Sequence, residues 1–152
     1  MRCGDLGRIV SLHGEAYDGL PGFGLKFEAY VAKTIAEYVL DNEARGCVWL
    51  AESGDRLVGC TAIALRSNRA AQLRWVLVEH SERGVGLGRQ LVETAIRYAS
   101  DSGASLMYLE STDGLPESQA LYEKLGFELI SSKSQELWDG VRPLIRMEKR
   151  LV

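Results

Sequence analysis

The sequence predicts one mixed α/β domain over residues 1–152, a single mixed sheet with helices on its faces. Apolar residues recur at helical spacing, most clearly at Phe27, Tyr30, Val31, Thr34, Ile35, Tyr38 and Val39. β-rich runs such as "CVWLAES", "LVGCTAIALRS" and "AQLRWVLVE" follow them. Helical and strand patterns then alternate through the second half of the chain, and a sheet with one apolar face per helix buries both kinds.

Asp5 is expected to cap a helix from about Leu6 to Tyr17, with Ile9, Val10 and Leu12 on its apolar side. "YDGLPGFG" breaks it, and a second helix runs from about Leu25 to Glu43. "CVWLAES" and "LVGCTAIALRS" flank the short turn "GDR" as a hairpin. "AQLRWVLVE" alternates and then turns continuously apolar, as a central strand does. After a glycine-rich segment comes a helix to about Ser100, with Leu87, Leu91, Val92, Ala95, Ile96 and Ala99 in one stripe. "SLMYLES" is a strand, and "PESQALYEKLG" is a helix with Pro116 in its first turn and Gly126 as its terminating glycine. "FELISSKS" and "VRPLIRMEKRL" close the chain as strands around "WDG". The expected order is α-α-β-β-β-α-β-α-β-β.

Hydrophobic residues make up 46% and charged residues 26%, the balance of an ordinary globular domain. A net charge of −3 argues against nucleic acid or an anionic membrane as a partner. No apolar run reaches the ~18 residues of a membrane span, and "MRCGDLGRIV" lacks the layout of a secretory signal. Cys3, Cys47 and Cys60 have no metal or redox spacing, and the two histidines, His13 and His80, make no metal constellation. The chain reads as cytoplasmic and reduced, with no metal.

Gly84, Gly86 and Gly88 alternate between an apolar strand and an amphipathic helix. G-x-G-x-x-G fails, because its last position falls on Arg89 or Leu91, and no Lys-Ser/Thr pair follows to make a P-loop. What remains is R-x-x-G-x-G, Arg83 to Gly88, opening a helix. Free amides at a helix N-terminus, aided by the helix dipole, bind anions. Missing Cβ atoms let phosphate approach the backbone, and Arg83 and Arg89 add charge at the rim.

"VEHSERGVGLGRQLVETAIRYA", followed after a strand by "ALYEKLGFE", resembles the GCN5-related N-acetyltransferases, and the likeness covers nearly the whole chain. "GDLGRIV.LHGEAY", "FEAYVAK" and "QLRWVLVEHSERGVGLGR" are similar to the acetyltransferase domain of MarR-GNAT fusion proteins. The resemblance implies acetyl-CoA as co-substrate and an amine as acceptor. It implies a central strand that bends from its neighbour, with the backbone of Val76, Leu77 and Val78 receiving the pantetheine arm. Gly84, Val85, Gly86, Leu87, Gly88 and Arg89 would hold the pyrophosphate, and an amide near Val78 would form an oxyanion hole.

Tyr122, in "LYEKLGF", stands where the family places the tyrosine that protonates the departing thiolate. Glu110, twelve residues earlier, matches the spacing of a glutamate base, or is a solvated carboxylate at a strand end. Two departures from the family stand out. Gln72 occupies the position of the glutamate in histone-acetylating relatives, and Leu115 that of a cofactor-contacting asparagine.

The resemblance implies an acceptor wall built from the first two helices and their loop; His13, Tyr17, Phe23, Phe27 and Glu28 are the candidates there, and all but Phe23 match the MarR-GNAT subgroup. His13 reads equally as a helix-surface histidine, and Tyr17 and Phe27 as core. Arg74, on a largely apolar strand, needs an anion: the carboxylate of an amino-acid-like acceptor, or else Glu110 or a carboxylate of the first two helices. Relatives begin with a strand ahead of "GDLG"; only Met1–Cys3 precede it here, so that strand is very short or missing. The edge so exposed is one that a homodimer would cover. The alternative to an enzyme is a non-catalytic acyl-CoA-binding sensor domain.

Overall fold

The computed structural model describes residues 1–41 and 45–152. Helices α1 (Asp5–Tyr17) and α2 (Leu25–Leu40) precede the hairpin β1 (Arg45–Ser53) and β2 (Arg56–Arg66). Then come β3 (Ala70–Val78), α3 (Leu87–Asp101), β4 (Leu106–Ser111), α4 (Pro116–Lys124), β5 (Glu128–Leu137) and β6 (Gly140–Arg150). This is the predicted order. The expected end of α2 at Glu43 lies outside the described residues.

One expectation fails at the start of α1. The residue ahead of it is Gly4, in a left-handed conformation, and Asp5 is already helical. Its carboxylate turns back to accept the Arg2 amide at 2.6 Å and pairs with Arg8 at 3.1 Å. These partners hold the Asp5 carboxyl below its ordinary value, the Arg2 amide contributing most.

The six strands run in the order β1-β2-β3-β4-β6-β5. No strand precedes α1 among the described residues, so β1 is an edge with β2 as its sole sheet neighbour. The two faces of the sheet feed two cores. Ile63, Leu73, Val92, Met107 and Met147 pack under α3 and α4. Cys60 and Leu77 join Ile9, Phe27, Val31 and Ile35 under α1 and α2.

The sheet opens at its centre. β3 and β4 pair in parallel only at Ala70–Gln72 with Leu106–Tyr108, and beyond that the strands diverge. The cause is a bulge in β3. Cys60 faces Leu77 and Ala62 faces Arg74, so both Trp75 and Val76 oppose Thr61. An extra residue on one strand bends it and sharpens its twist. Trp75 adopts φ 48°, which costs a side-chain-bearing residue about 1–2 kcal/mol. Its surroundings hold it there: Trp75 Nε1 donates to Thr34 Oγ1 at 3.2 Å, and Cys60 Sγ donates to the Trp75 carbonyl at 3.1 Å. The buried Thr61 hydroxyl opposite the bulge has no hydrogen-bond partner among the described residues.

Candidate active site

A cavity lies where β3 and β4 part, lined by Arg74, Trp75 and Val76 of β3 and by Leu109, Glu110 and Ser111 of β4. In the glycine segment that follows β3, none of the amides from Gly84 to Arg89 donates to a backbone acceptor among the described residues, and the first bond of α3 is Gln90 N–H to Gly86 O at 3.0 Å. Gly84 and Gly86 have φ of 82° and 88°, and a Cβ on either would point into open space. Such a run of outward amides at a helix start suits an anion, so the residues present fit a pyrophosphate. The arginines are less free than the sequence suggests. Arg83 Nε donates to the Val78 carbonyl at 3.0 Å and its Nη1 reaches Glu117 at 3.1 Å. Arg89 pairs with Glu93 on its own helix at 2.8 Å. Val85 is exposed, whereas Leu87 and Gly88 are partly covered, Gly88 lying close to Leu121 and Val78.

Within β3, Leu77 points its side chain into the α1–α2 core, while Val76 lines the cavity. Glu79 N–H bonds the Val58 carbonyl at 2.8 Å. Bonded and non-bonded pairs alternate along an antiparallel ladder, so the Val78–Gly59 pair is non-bonded. The N–H and C=O of Val78 therefore face the gap, consistent with the Arg83 contact to that carbonyl.

The cavity holds about 440 Å³ and brings together His13, Tyr17, Phe27, Arg74, Glu110 and Tyr122. Glu28 does not line it; its carboxylate lies against Gly14 of α1. Tyr122 is buried, and its hydroxyl makes no hydrogen bond among the described residues. Burial, with a smaller contribution from nearby Tyr17, pushes its pKa well up, so it keeps its proton. It also packs into the α3–α4 core against Phe127, as a tyrosine on the inner face of an amphipathic helix does. Glu110, exposed on β4, stands beside Arg146 of β6, whose guanidinium is engaged by Glu148 and the Tyr108 ring. Arg74 is half-buried over the Trp75 ring at 4.6 Å. Burial lowers its pKa, and it has no ion pair within 4.0 Å among the described residues. The structure thus withholds the Glu110 salt bridge as its anion.

His13 is not a surface residue. It is 3% exposed, and its Nδ1 lies 2.8 Å from the Ile9 carbonyl. A carbonyl only accepts, so Nδ1 carries the proton and Nε2 the lone pair. Burial depresses its pKa to about 4, the Ile9 bond offsetting part of this. The unfolded chain, titrating near ~6.5, binds the proton first, so stability falls as pH drops from about 6.5 toward 4. Urea midpoints should show a loss of about 2 kcal/mol between pH 7 and pH 5 from this residue. His13→Asn, which can still donate to Ile9, should remove that part of the slope. Cys60, with its thiol pushed up to about 12 by burial, is no nucleophile.

By its place at the "DG" turn Trp138 can edge the pocket or cover a strand, and nothing in the sequence singles out Arg142 as a site residue. Trp138 sits 4.7 Å from Phe27 and 5.5 Å from Phe23, closing the end of the cavity beneath the α1–α2 loop. Arg142 donates to the Pro21 carbonyl at 2.7 Å and to Asp113 Oδ1 at 2.9 Å, and covers the Phe23 ring at 4.7 Å. It ties β6 to the α1–α2 loop and the β4–α4 loop. Its only signal in the sequence is an arginine next to proline, close to the "WDG" turn.

The described residues contain no cluster of three or more His, Cys, Asp and Glu able to hold a metal ion, and no helix long and apolar enough to cross a membrane. Comparison with known proteins gives one family and one fold. The acetyltransferase (GNAT) family model matches residues 12–127. N-acetyltransferase 8B of Homo sapiens is 30% identical over 103 residues, covering 64% of this chain and 45% of the relative. The chain thus spans about half the length of the curated relatives it matches. The ribosomal-protein-S18-alanine N-acetyltransferase from Escherichia coli superposes with a TM-score of 0.76 at 21% identity, over 99% of this chain and 90% of that one. A Bacillus subtilis acetyltransferase solved in complex with CoA gives 0.63 at 24% identity, over 79% of this chain and 84% of that one.

Proposed function

We propose, for a chain that belongs to the acetyltransferase (GNAT) family, that it transfers an acetyl group from acetyl-CoA directly to the primary amine of a small, amino-acid-like acceptor. Three observations together carry this reading: the free amides of Gly84–Arg89, the open edge of β3 beyond Gln72, and the cavity that Val76 of that edge lines together with Tyr122. Acetyl-CoA supplies the acyl thioester. The amides at the start of α3 bind its pyrophosphate, the edge of β3 from Val76 to Val78 pairs with its arm, and Val78 N–H stabilises the oxyanion. Tyr122 gives its proton to the departing thiolate.

Glu110 takes the acceptor's proton, through water where the carboxylate stands off. The amine of a free α-amino acid, raised by its own carboxylate above the ~8 of a chain N-terminus, is still less basic than a lysine-type amine near ~10.4, so more of it is neutral at pH 7. That difference favours an α-amino acceptor for a base as weak as a carboxylate. Arg74, charged and unpaired in the cavity wall, anchors the acceptor's carboxylate. Residues 1–152 act as one domain, and the likeness to the acetyltransferase part of MarR-GNAT proteins rests on the stretches quoted above. We read the chain as cytoplasmic and its β1 edge as the place where a second copy would pair.

The test is thiol release from acetyl-CoA with and without amines. Release that depends on an α-amino acid supports the reading. Tight acetyl-CoA binding without release from any amine replaces it with the sensor reading.

A further inference from the structure

At the end of the cavity away from the glycine segment, aromatic rings from three separate stretches converge. Phe23 comes from the α1–α2 loop, Phe27 and Tyr30 from α2, and Trp138 from the β5–β6 turn. The Trp138 ring lies 4.7 Å from Phe27, 5.5 Å from Phe23 and 5.6 Å from Tyr30. Phe23 and Phe27 are buried floor, while Trp138 is half-covered and Tyr30 is 45% exposed. Two of the charges nearby are engaged: Lys26 pairs with Asp139 at 3.8 Å, and Arg142 is held by Asp113. Arg74, Glu110 and Glu136, which line the cavity, have no ion pair within 4.0 Å among the described residues, and Arg74 lies within electrostatic reach of Tyr30, Arg66, Glu110 and Tyr108. Extending the β3–β4 register past Gln72 and Tyr108 brings Arg74 level with Glu110 across the gap.

An unpaired guanidinium, a carboxylate opposite it and an apolar ring wall beside it match three groups borne by one carbon atom. From this juxtaposition we infer that the acceptor is an α-amino acid with a large apolar or aromatic side chain, its carboxylate on Arg74, its amine toward Glu110 and its side chain against Tyr30 and Trp138. This rests on the transfer reading above and adds the side-chain class to it. Burying a phenyl group contributes about 1.5–3 kcal/mol, or about tenfold to a hundredfold in affinity. A hydrogen-bonded charge pair contributes a similar factor. Arg142 is a positioning residue here, because it holds the Phe23 ring and its loop against the wall.

Calorimetry with the acetylated product separates this inference from the transfer reading, since it needs no turnover. With CoA present, N-acetylphenylalanine should bind about tenfold or more tightly than both N-acetylalanine and N-acetylphenethylamine. Trp138→Ala should abolish the preference over N-acetylalanine, and Arg74→Gln the preference over N-acetylphenethylamine. Arg142→Ala should raise the KM for phenylalanine with the KM for acetyl-CoA unchanged. Equal binding of the phenylalanine and alanine products overturns the side-chain assignment, and equal binding of the phenethylamine product overturns the role of Arg74. Failure of all three to bind at millimolar concentration overturns both. If the predicted order holds while no amine is acetylated, the inference stands and the transfer reading falls.

Discussion

Tyr122→Phe is expected to lower kcat by about a hundredfold or more, with little change in the KM for acetyl-CoA. General-acid catalysis contributes about 10²–10⁴-fold, and Tyr122 is the phenol of this cavity that we propose protonates the thiolate. The change keeps the ring and its packing against Phe127, 5.9 Å away between centroids. The lost hydroxyl has no hydrogen-bond partner among the described residues, so the folded state forfeits no bond. The variant should therefore melt within a degree or two of wild type at neutral pH, which makes a kinetic loss attributable to chemistry. A second signature comes from titration. The folded-state pKa of Tyr122 is raised by burial, so above pH ~10 the unfolded chain ionises this phenol while the folded one keeps it neutral. Stability contributed by Tyr122 is complete below pH 10 and is lost as pH rises beyond it; the phenylalanine variant lacks that alkaline decline. Wild-type turnover rates in Tyr122→Phe would remove the proton donor from this account.

Gly86→Ala is expected to weaken acetyl-CoA about tenfold to a hundredfold, the range for losing hydrogen bonds to a charged group. Two effects combine. A residue with a Cβ at φ 88° costs about 1–2 kcal/mol of backbone strain, and relief of that strain re-aims the amides that open α3. The Cβ also stands in the open space over those amides. Gly103 is the control. Its φ is 81° and its Cβ would likewise meet nothing within 4 Å, but it lies at the opposite end of α3. Gly103→Ala should show the same loss of stability in urea with acetyl-CoA affinity intact. Equal weakening by both substitutions would reduce the glycine effect to helix strain.

The helices and strands were legible because period and punctuation agree: a 3.6-residue stripe in α3, a glycine–aspartate turn in the β1–β2 hairpin, Pro116 at the start of α4 and Gly126 at its end. The glycine segment was legible for the same reason, since positive φ leaves its mark on residue type. Trp75 left no such mark. Its φ of 48° is imposed by tertiary contacts with Thr34 and Cys60, and nothing local distinguishes a tryptophan that must bulge from one in a regular strand. Charge pairing was illegible in a similar way. Arg83 and Arg89 looked like free rim cations, but Glu117 lies 34 positions from the first and Glu93 one helical turn from the second. Arg142 reaches back 121 positions to Pro21, a contact that no sequence pattern announces. His13 went the other way. It sits on the same helix as Ile9 and Leu12, and the fold buries it because α2 and the Phe23 loop close over that face.

The claim on which the rest depends is that acetyl-CoA lies along the open edge of β3 with its pyrophosphate on the start of α3. Titration of acetyl-CoA into uniformly ¹⁵N-labelled protein, followed by amide chemical shifts, tests it directly. The account predicts the largest changes at Gly84–Arg89 and at Val76 and Val78, with Gln72 and the β1–β2 hairpin little moved. Perturbations centred elsewhere, or none at millimolar acetyl-CoA, would contradict it.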